Sequence, residues 1–281
     1  MAQLQCSQEE AAHVAAIATH LSRLRVSAPR VWLAVGDAAL ACLAHAQPAE
    51  VVGVLAAHSR AGVPHKLLFE RASTRVASSI HDAQPQDVAT LLWALARAGH
   101  PLSRTLLRAT VMHLESHAGR YSLLHLASIA GACSSMGVRD GELRRLLLGR
   151  GTEALHHEAT AWVQPTPEWV GTEAAAPPPS VRAAASLVLS LCALGPPTPE
   201  LLKAAAAALA KLLDRATAAG GVHVSSAELD QAGQVATLLE QAGHVDEHNA
   251  LVQACNRLRH LLGGLEEGLA GFPGQGDPAA A

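Results

Sequence analysis

Three arginines occupy one position of a recurring phrase in this 281-residue chain. Arg23, Arg60 and Arg97 each stand two residues before an aligned position held by Arg25, Gly62 and Gly99. Guanidinium groups repeated at a fixed spacing can neutralise successive phosphates of a nucleic acid backbone. The same groups would also complement the negative end of a helix dipole. More cations follow in the same half of the chain: Lys66, Arg71, Arg75, Arg104, Arg108, Arg139, Arg144 and Arg145. They extend the candidate set for RNA contact, although a solvated helix face would carry the same residues.

Other chemistry is sparse. His113 and His117 are spaced i, i+4 on a predicted helix, which suits zinc, but no third ligand accompanies them. No phosphate-binding glycine loop, nucleophile elbow or metalloprotease helix is present. The expectation is a protein that is not an enzyme, with no catalytic residue, no metal, no cofactor and no small-molecule substrate. Base stacking needs aromatic surfaces, and aromatic residues make up only 2% of the chain. In the basic half they are Trp32, Phe69, Trp93 and Tyr121, and the apolar neighbours of Trp93 place it in the core. Recognition of folded RNA through phosphates and shape fits this composition better than base-by-base reading.

Charge divides the chain. Residues 1–150 carry 15 Lys/Arg and 10 Asp/Glu, a net of +5, and residues 151–281 carry 6 and 14, a net of −8. RNA, ribosomal by preference, is expected against the first half and protein neighbours against the second. The five cysteines are scattered and odd in number, which argues against a disulfide framework and for a reducing compartment. No apolar run reaches the ~18 residues of a membrane span, so no membrane insertion is expected. Glu9 and Glu10 lie where a transit peptide avoids acids, so no transit peptide is visible.

The phrase that carries the arginines also defines the elements that must position them. Its clearest copy is Pro85-Gln-Asp-Val-Ala-Thr-Leu-Leu-Trp-Ala-Leu-Ala-Arg-Ala-Gly99, and aligned copies end at Arg25, Gly62, Gly99, Gly137, Gly195 and Gly243. The intervals are 37, 37, 38, 58 and 48 residues by subtraction. A period of this size predicts a stack of similar units. Within each unit, apolar residues at helical spacing (Val88, Leu91, Leu92, Leu95) form a first helix that glycine ends in a left-handed cap. A short turn follows, and Ser103 then caps a second helix from about Arg104 to His117.

The fold expected is therefore all-α, a solenoid of about six stacked helical hairpins with 37–38-residue repeats over residues 1–262, offering an extended concave face. An insertion at about 156–176 holds Trp162 and Trp169, which serve either as a protein-docking point or as indoles folded back on the solenoid. Residues 263–281 are Gly/Pro/Ala-rich and aperiodic, and read as a disordered tail.

The repeat resembles the octotricopeptide repeat, a helical hairpin of about 38 residues abundant in green algae. The 85–99 phrase is similar to the family's first helix. Pro165-Thr-Pro-Glu-Trp169 and Pro197-Thr-Pro-Glu-Leu201 approximate its Pro-Pro-Pro-Glu-Trp signature. The resemblance spans about residues 8–262 and is close in the third and fifth units. It implies an organellar RNA-binding protein, in a mitochondrion rather than a chloroplast. Such a protein would be a structural subunit or assembly factor of an organellar ribosome, or a transcript-specific stability or processing factor. A protein scaffold without RNA contact is the alternative. Some relatives carry a nuclease-like C-terminal domain, and nothing after residue 262 has room for one.

Overall fold

Four of the six first helices begin on the same local device. The backbone N–H of residues Ser7, Gln47, Gln84 and Ser225 donates to an acidic side chain three residues on, Glu10, Glu50, Asp87 and Glu228, at 2.8–2.9 Å. That carboxylate satisfies an otherwise orphaned donor and complements the positive helix end. Pro29, Pro48 and Pro85 open their helices at the first turn, where a missing N–H costs nothing.

A computed structural model describes residues 7–160, 180–218 and 224–270, with side chains to residue 262. The described residues form twelve α-helices: α1 (Gln8–Arg23), α2 (Pro29–Cys42), α3 (Pro48–Ala61), α4 (Lys66–Ser78), α5 (Pro85–Arg97), α6 (Arg104–Ser116), α7 (Leu123–Ser135), α8 (Gly141–Thr160), α9 (Val181–Leu194), α10 (Pro199–Ala218), α11 (Ser226–Gln241) and α12 (Val245–Ala270). Taken in pairs they are six helical hairpins, the number that the aligned phrase predicts. The fold is all-α, a helical-repeat architecture.

The first helices end alike. Arg25, Gly62, Gly99, Gly137 and Gly243 all take positive φ, between 54° and 79°. In each case the next residue's N–H returns to a carbonyl five positions earlier, as from His100 to Leu95 at 2.9 Å and from Val26 to Leu21 at 3.1 Å. This left-handed cap satisfies C-terminal carbonyls, and Arg25 adopts it at a steric cost that glycine avoids. Gly195 departs from the series. The Arg144 side chain lies where its Cβ would be, and the Arg144 guanidinium donates to the Pro196 carbonyl.

Contacts divide the chain into two compact units. One holds α1 to α7, α8 as far as Ala154, and Ser190–Pro197; the other holds the rest of α8 and α9 with α10 to α12. Within the first unit, like stacks on like: α1, α3, α5 and α7 form one layer, and α2, α4 and α6 a second. Helices of the first layer are covered on two sides, so their apolar stripes are wide. Val88, Ala89, Leu91, Leu92, Ala94 and Leu95 of α5 are all buried. Hydrogen bonds fix the register. Ser59 Oγ on α3 donates to the Ala94 carbonyl on α5 at 2.8 Å, and His125 of α7 bonds Gln86 of α5 at 2.9 Å. C-termini thus meet C-termini and N-termini meet N-termini. In the second unit α10 and α11 both pack on α12.

Two boundaries differ from expectation. The insertion expected from residue 156 begins later, because α8 runs on to Thr160. The tail expected from residue 263 is helical as far as Ala270. Trp162, Trp169 and residues 271–281 lie outside the described residues. Cys133, Cys192 and Cys255 are free thiols.

Candidate nucleic-acid interface

An antiparallel hairpin brings the C-terminus of its first helix and the N-terminus of its second to one edge. Stacked in register, the hairpins of the first unit line up those edges. Arg23, Arg60 and Arg97 occupy the last turns of α1, α3 and α5. Lys66 and Arg104 are the first residues of α4 and α6, Arg30 is the second residue of α2, and Arg139 lies in the turn before α8. Arg25 sits in the first turn itself. The opposite edge carries acids instead: Glu9, Glu10, Glu50 and Asp87 in the first turns of α1, α3 and α5.

The helix dipole accounts for only half of this basic edge. Arginine in a last turn faces partial negative charge and is stabilised. Lys66, Arg104 and Arg30 sit at the positive ends of their helices, where a cation costs free energy. No acidic residue lies in the first turn of α2, α4 or α6 to offset them. Side-chain caps satisfy the backbone there without adding charge. His65 Nδ1 accepts from Leu68 N–H, and Ser103 Oγ accepts from Leu106 N–H, each at 3.2 Å.

These cations also lack protein counterions. Among the described residues, the arginine–carboxylate pairs are Arg145–Glu115, Arg150–Glu153, Arg257–Asp214 and Arg259–Asp230. None involves Arg23, Arg60, Lys66, Arg97, Arg104, Arg108 or Arg139, and all seven are exposed. Arg104, Arg108 and Arg139 share an open cleft of about 470 Å³ with Leu107, Val111, Val138, Asp140 and Glu142.

The remaining candidates are placed elsewhere. Arg144 turns inward to Pro196, and Arg145 pairs with Glu115 at 3.5 Å. Arg71 lies mid-way along α4, and Arg75 lies in its last turn, at the opposite edge. Sequence reasoning passed over Arg25 and Arg30. Their position beside a turn was the available signal, and it becomes informative only when the turns are seen to align.

Trp93 is not in the core. It is half-buried, on the stripe of α5 that also carries Gln86, Thr90 and Arg97. Arg60 Cζ lies 5.4 Å and Arg97 Cζ 5.8 Å from the Trp93 ring centre, both within cation–π range. Arg97 Nε also donates to the Ser59 carbonyl at 3.1 Å, whereas the guanidinium of Arg60 has no hydrogen-bond acceptor among the described residues.

His58, His113 and His117 have structural partners. His113 is buried; its Nδ1 accepts from the Tyr121 hydroxyl at 2.6 Å and its Nε2–H donates to the Ala83 carbonyl at 3.1 Å. Both nitrogens are therefore taken, and His117 stacks on the ring at 4.2 Å. Among the described residues no group of three or more His, Cys, Asp or Glu could hold a metal ion. His58 is fully buried beside Trp32 and donates from Nδ1 to the Val63 carbonyl at 3.0 Å. Burial lowers the His58 and His113 pKa values below the usual 6.5. Among the described residues no helix is long and apolar enough to cross a membrane.

Fold and edge together define a class, an all-α helical-hairpin repeat protein with a basic edge in its first unit. No protein-family model and no curated protein matches the chain.

Proposed function

We propose that the protein is a non-enzymatic, octotricopeptide-like helical-repeat protein that binds RNA along the turn edge of its first four hairpins. Its role would be that of a structural subunit or assembly factor of an organellar, mitochondrial ribosome. The observation that carries this reading is the set of exposed cations without counterions, part of which sits at helix N-termini against the dipole. A polyanion spanning several hairpins gives both halves of the set a partner and releases counterions on binding. Phosphate contact requires no base code, which suits a chain poor in aromatics.

The test is the quadruple variant Arg23→Glu/Arg60→Glu/Lys66→Glu/Arg104→Glu, which leaves the Arg97–Ser59 bond intact. RNA affinity should collapse, and in the wild-type protein it should fall steeply with salt. Sedimentation of the native particle should shift on ribonuclease treatment. Unchanged RNA affinity and co-sedimentation in the variant would overturn the reading.

A protein scaffold is the second reading. It is favoured by Ile17, Leu24, Val31 and Leu33, four exposed apolar side chains in the first hairpin. Crosslinks to protein neighbours alone would support it.

A further inference from the structure

We infer that Trp93 is the seat of one unpaired RNA nucleotide, whose base stacks on the indole while Arg60 and Arg97 hold the adjoining phosphate. The inference rests on the RNA reading above and adds a base-contacting residue to it.

Three observations carry it. The Trp93 ring is only half-buried although four residues around it in sequence, Leu91, Leu92, Ala94 and Leu95, are wholly enclosed. A partly exposed indole on an otherwise well-packed helix offers an aromatic ring at the surface, and bases of any identity stack on such a ring. The guanidiniums of Arg60 and Arg97 lie over that ring, 5.4 and 5.8 Å from its centre, and a base stacking there would replace them on the ring while they turn to its phosphate. Arg60 is free of protein acceptors, and Arg97 spends one N–H on Ser59 and keeps its terminal nitrogens available. A base on the ring would bring its own phosphate into the reach of both. Finally, the same position in the other first helices, six residues before the aligned cap, holds Thr19, Ala56, Gly131, Leu189 and Thr237. None is aromatic, so neighbouring hairpins supply no second platform at this position.

The site therefore takes one base, not a run of bases. The fitting ligand is an unpaired nucleotide, in a loop or bulge, within RNA otherwise gripped by its backbone. This combines shape and phosphate recognition with one point of single-strand contact.

The test compares an oligouridylate with an abasic strand of equal length, which keeps the phosphates and lacks the bases. Full-length wild-type protein should bind the uridylate more tightly. Trp93→Leu should weaken uridylate binding about 5- to 150-fold, leave the abasic strand unaffected and abolish the preference between them. Trp93→Phe should restore most of it. In a Trp162→Phe/Trp169→Phe background, uridylate and not the abasic strand should quench indole emission, a readout independent of any change at Trp93. A Trp93→Leu protein that still prefers the uridylate, or emission that responds alike to both strands, overturns the stacking site and leaves the backbone reading standing. A wild-type protein that binds neither strand nor duplex RNA overturns both.

Discussion

The guanidinium of Arg97 reaches from α5 to α3 and donates from Nε to the Ser59 carbonyl at 3.1 Å. Ser59 lies in the last turn of α3, its carbonyl also accepts from the Gly62 N–H at 3.3 Å, and its own hydroxyl donates back to Ala94 of α5 at 2.8 Å. The two helices are thereby tied at their C-termini. Arg60, the equivalent residue one hairpin earlier, makes no such bond. Arg97→Met should lower stability by about 1 kcal/mol. Arg60→Met should stay within about 0.5 kcal/mol of wild type while weakening RNA binding. Urea midpoints and anisotropy titrations on the two variants separate the roles.

Lys66 and Arg104 provide a test in which stability and binding move in opposite directions. Each sits at the first residue of a helix whose first turn has no acid. Lys66→Glu and Arg104→Glu should each stabilise the fold by roughly 0.3–1 kcal/mol at low salt, with the gain shrinking as salt rises. Thermal melting at two ionic strengths checks this. A loss of stability in both variants would contradict the dipole argument.

The cap position makes a paired prediction. Arg25 holds φ 54°, whereas Gly99 holds φ 65° with no atom near a would-be Cβ. The cost at both sites is therefore backbone strain alone. Gly99→Ala should destabilise by about 1 kcal/mol, and Arg25→Gly should stabilise by a few tenths to about 1 kcal/mol. Denaturant melts of the two single variants measure both signs.

Buried neutral histidines set an acid limit on stability. Burial holds His58 and His113 below their usual pKa of 6.5. On acidification the unfolded chain takes up those protons first. The contribution of both groups is complete above pH 6.5 and is lost as pH falls through 6.5 towards the folded values. The urea midpoint should decline over that window, and His58→Gln/His113→Gln should flatten the decline. Tyr121→Phe, which strips the donor from His113 Nδ1, should cost about 1–3 kcal/mol at neutral pH.

A side chain at Gly195 should push Arg144 aside. Alanine there meets the Arg144 guanidinium and displaces it from the Pro196 carbonyl. Gly195→Ala should destabilise by about 1–3 kcal/mol, with the loss measured in a denaturant melt. Arg144→Leu/Gly195→Ala should lose less than the two single variants combined, since both disturb one contact.

The sequence alone determined the local grammar of this protein. A single aligned position located six hairpins, because a left-handed cap admits glycine cheaply and glycine stands there in five of the six copies. Ser103 announced α6 because its hydroxyl reaches the N–H of Leu106, three residues on, and caps it. These are short-range constraints, written in adjacent residues. What tertiary structure decided was long-range. Trp93 read as core because its neighbours are core. Its exposure depends on what the adjacent helices leave uncovered, and no local pattern encodes that. Arg144 read as a surface cation until the fold brought it to Pro196, 52 residues away. The basic edge was half legible: Arg23, Arg60 and Arg97 share a register, but Lys66 and Arg104 join them only because each hairpin folds back on itself. An antiparallel turn converts residues at opposite helix ends into neighbours, and with that the dipole explanation fits one set and fails the other.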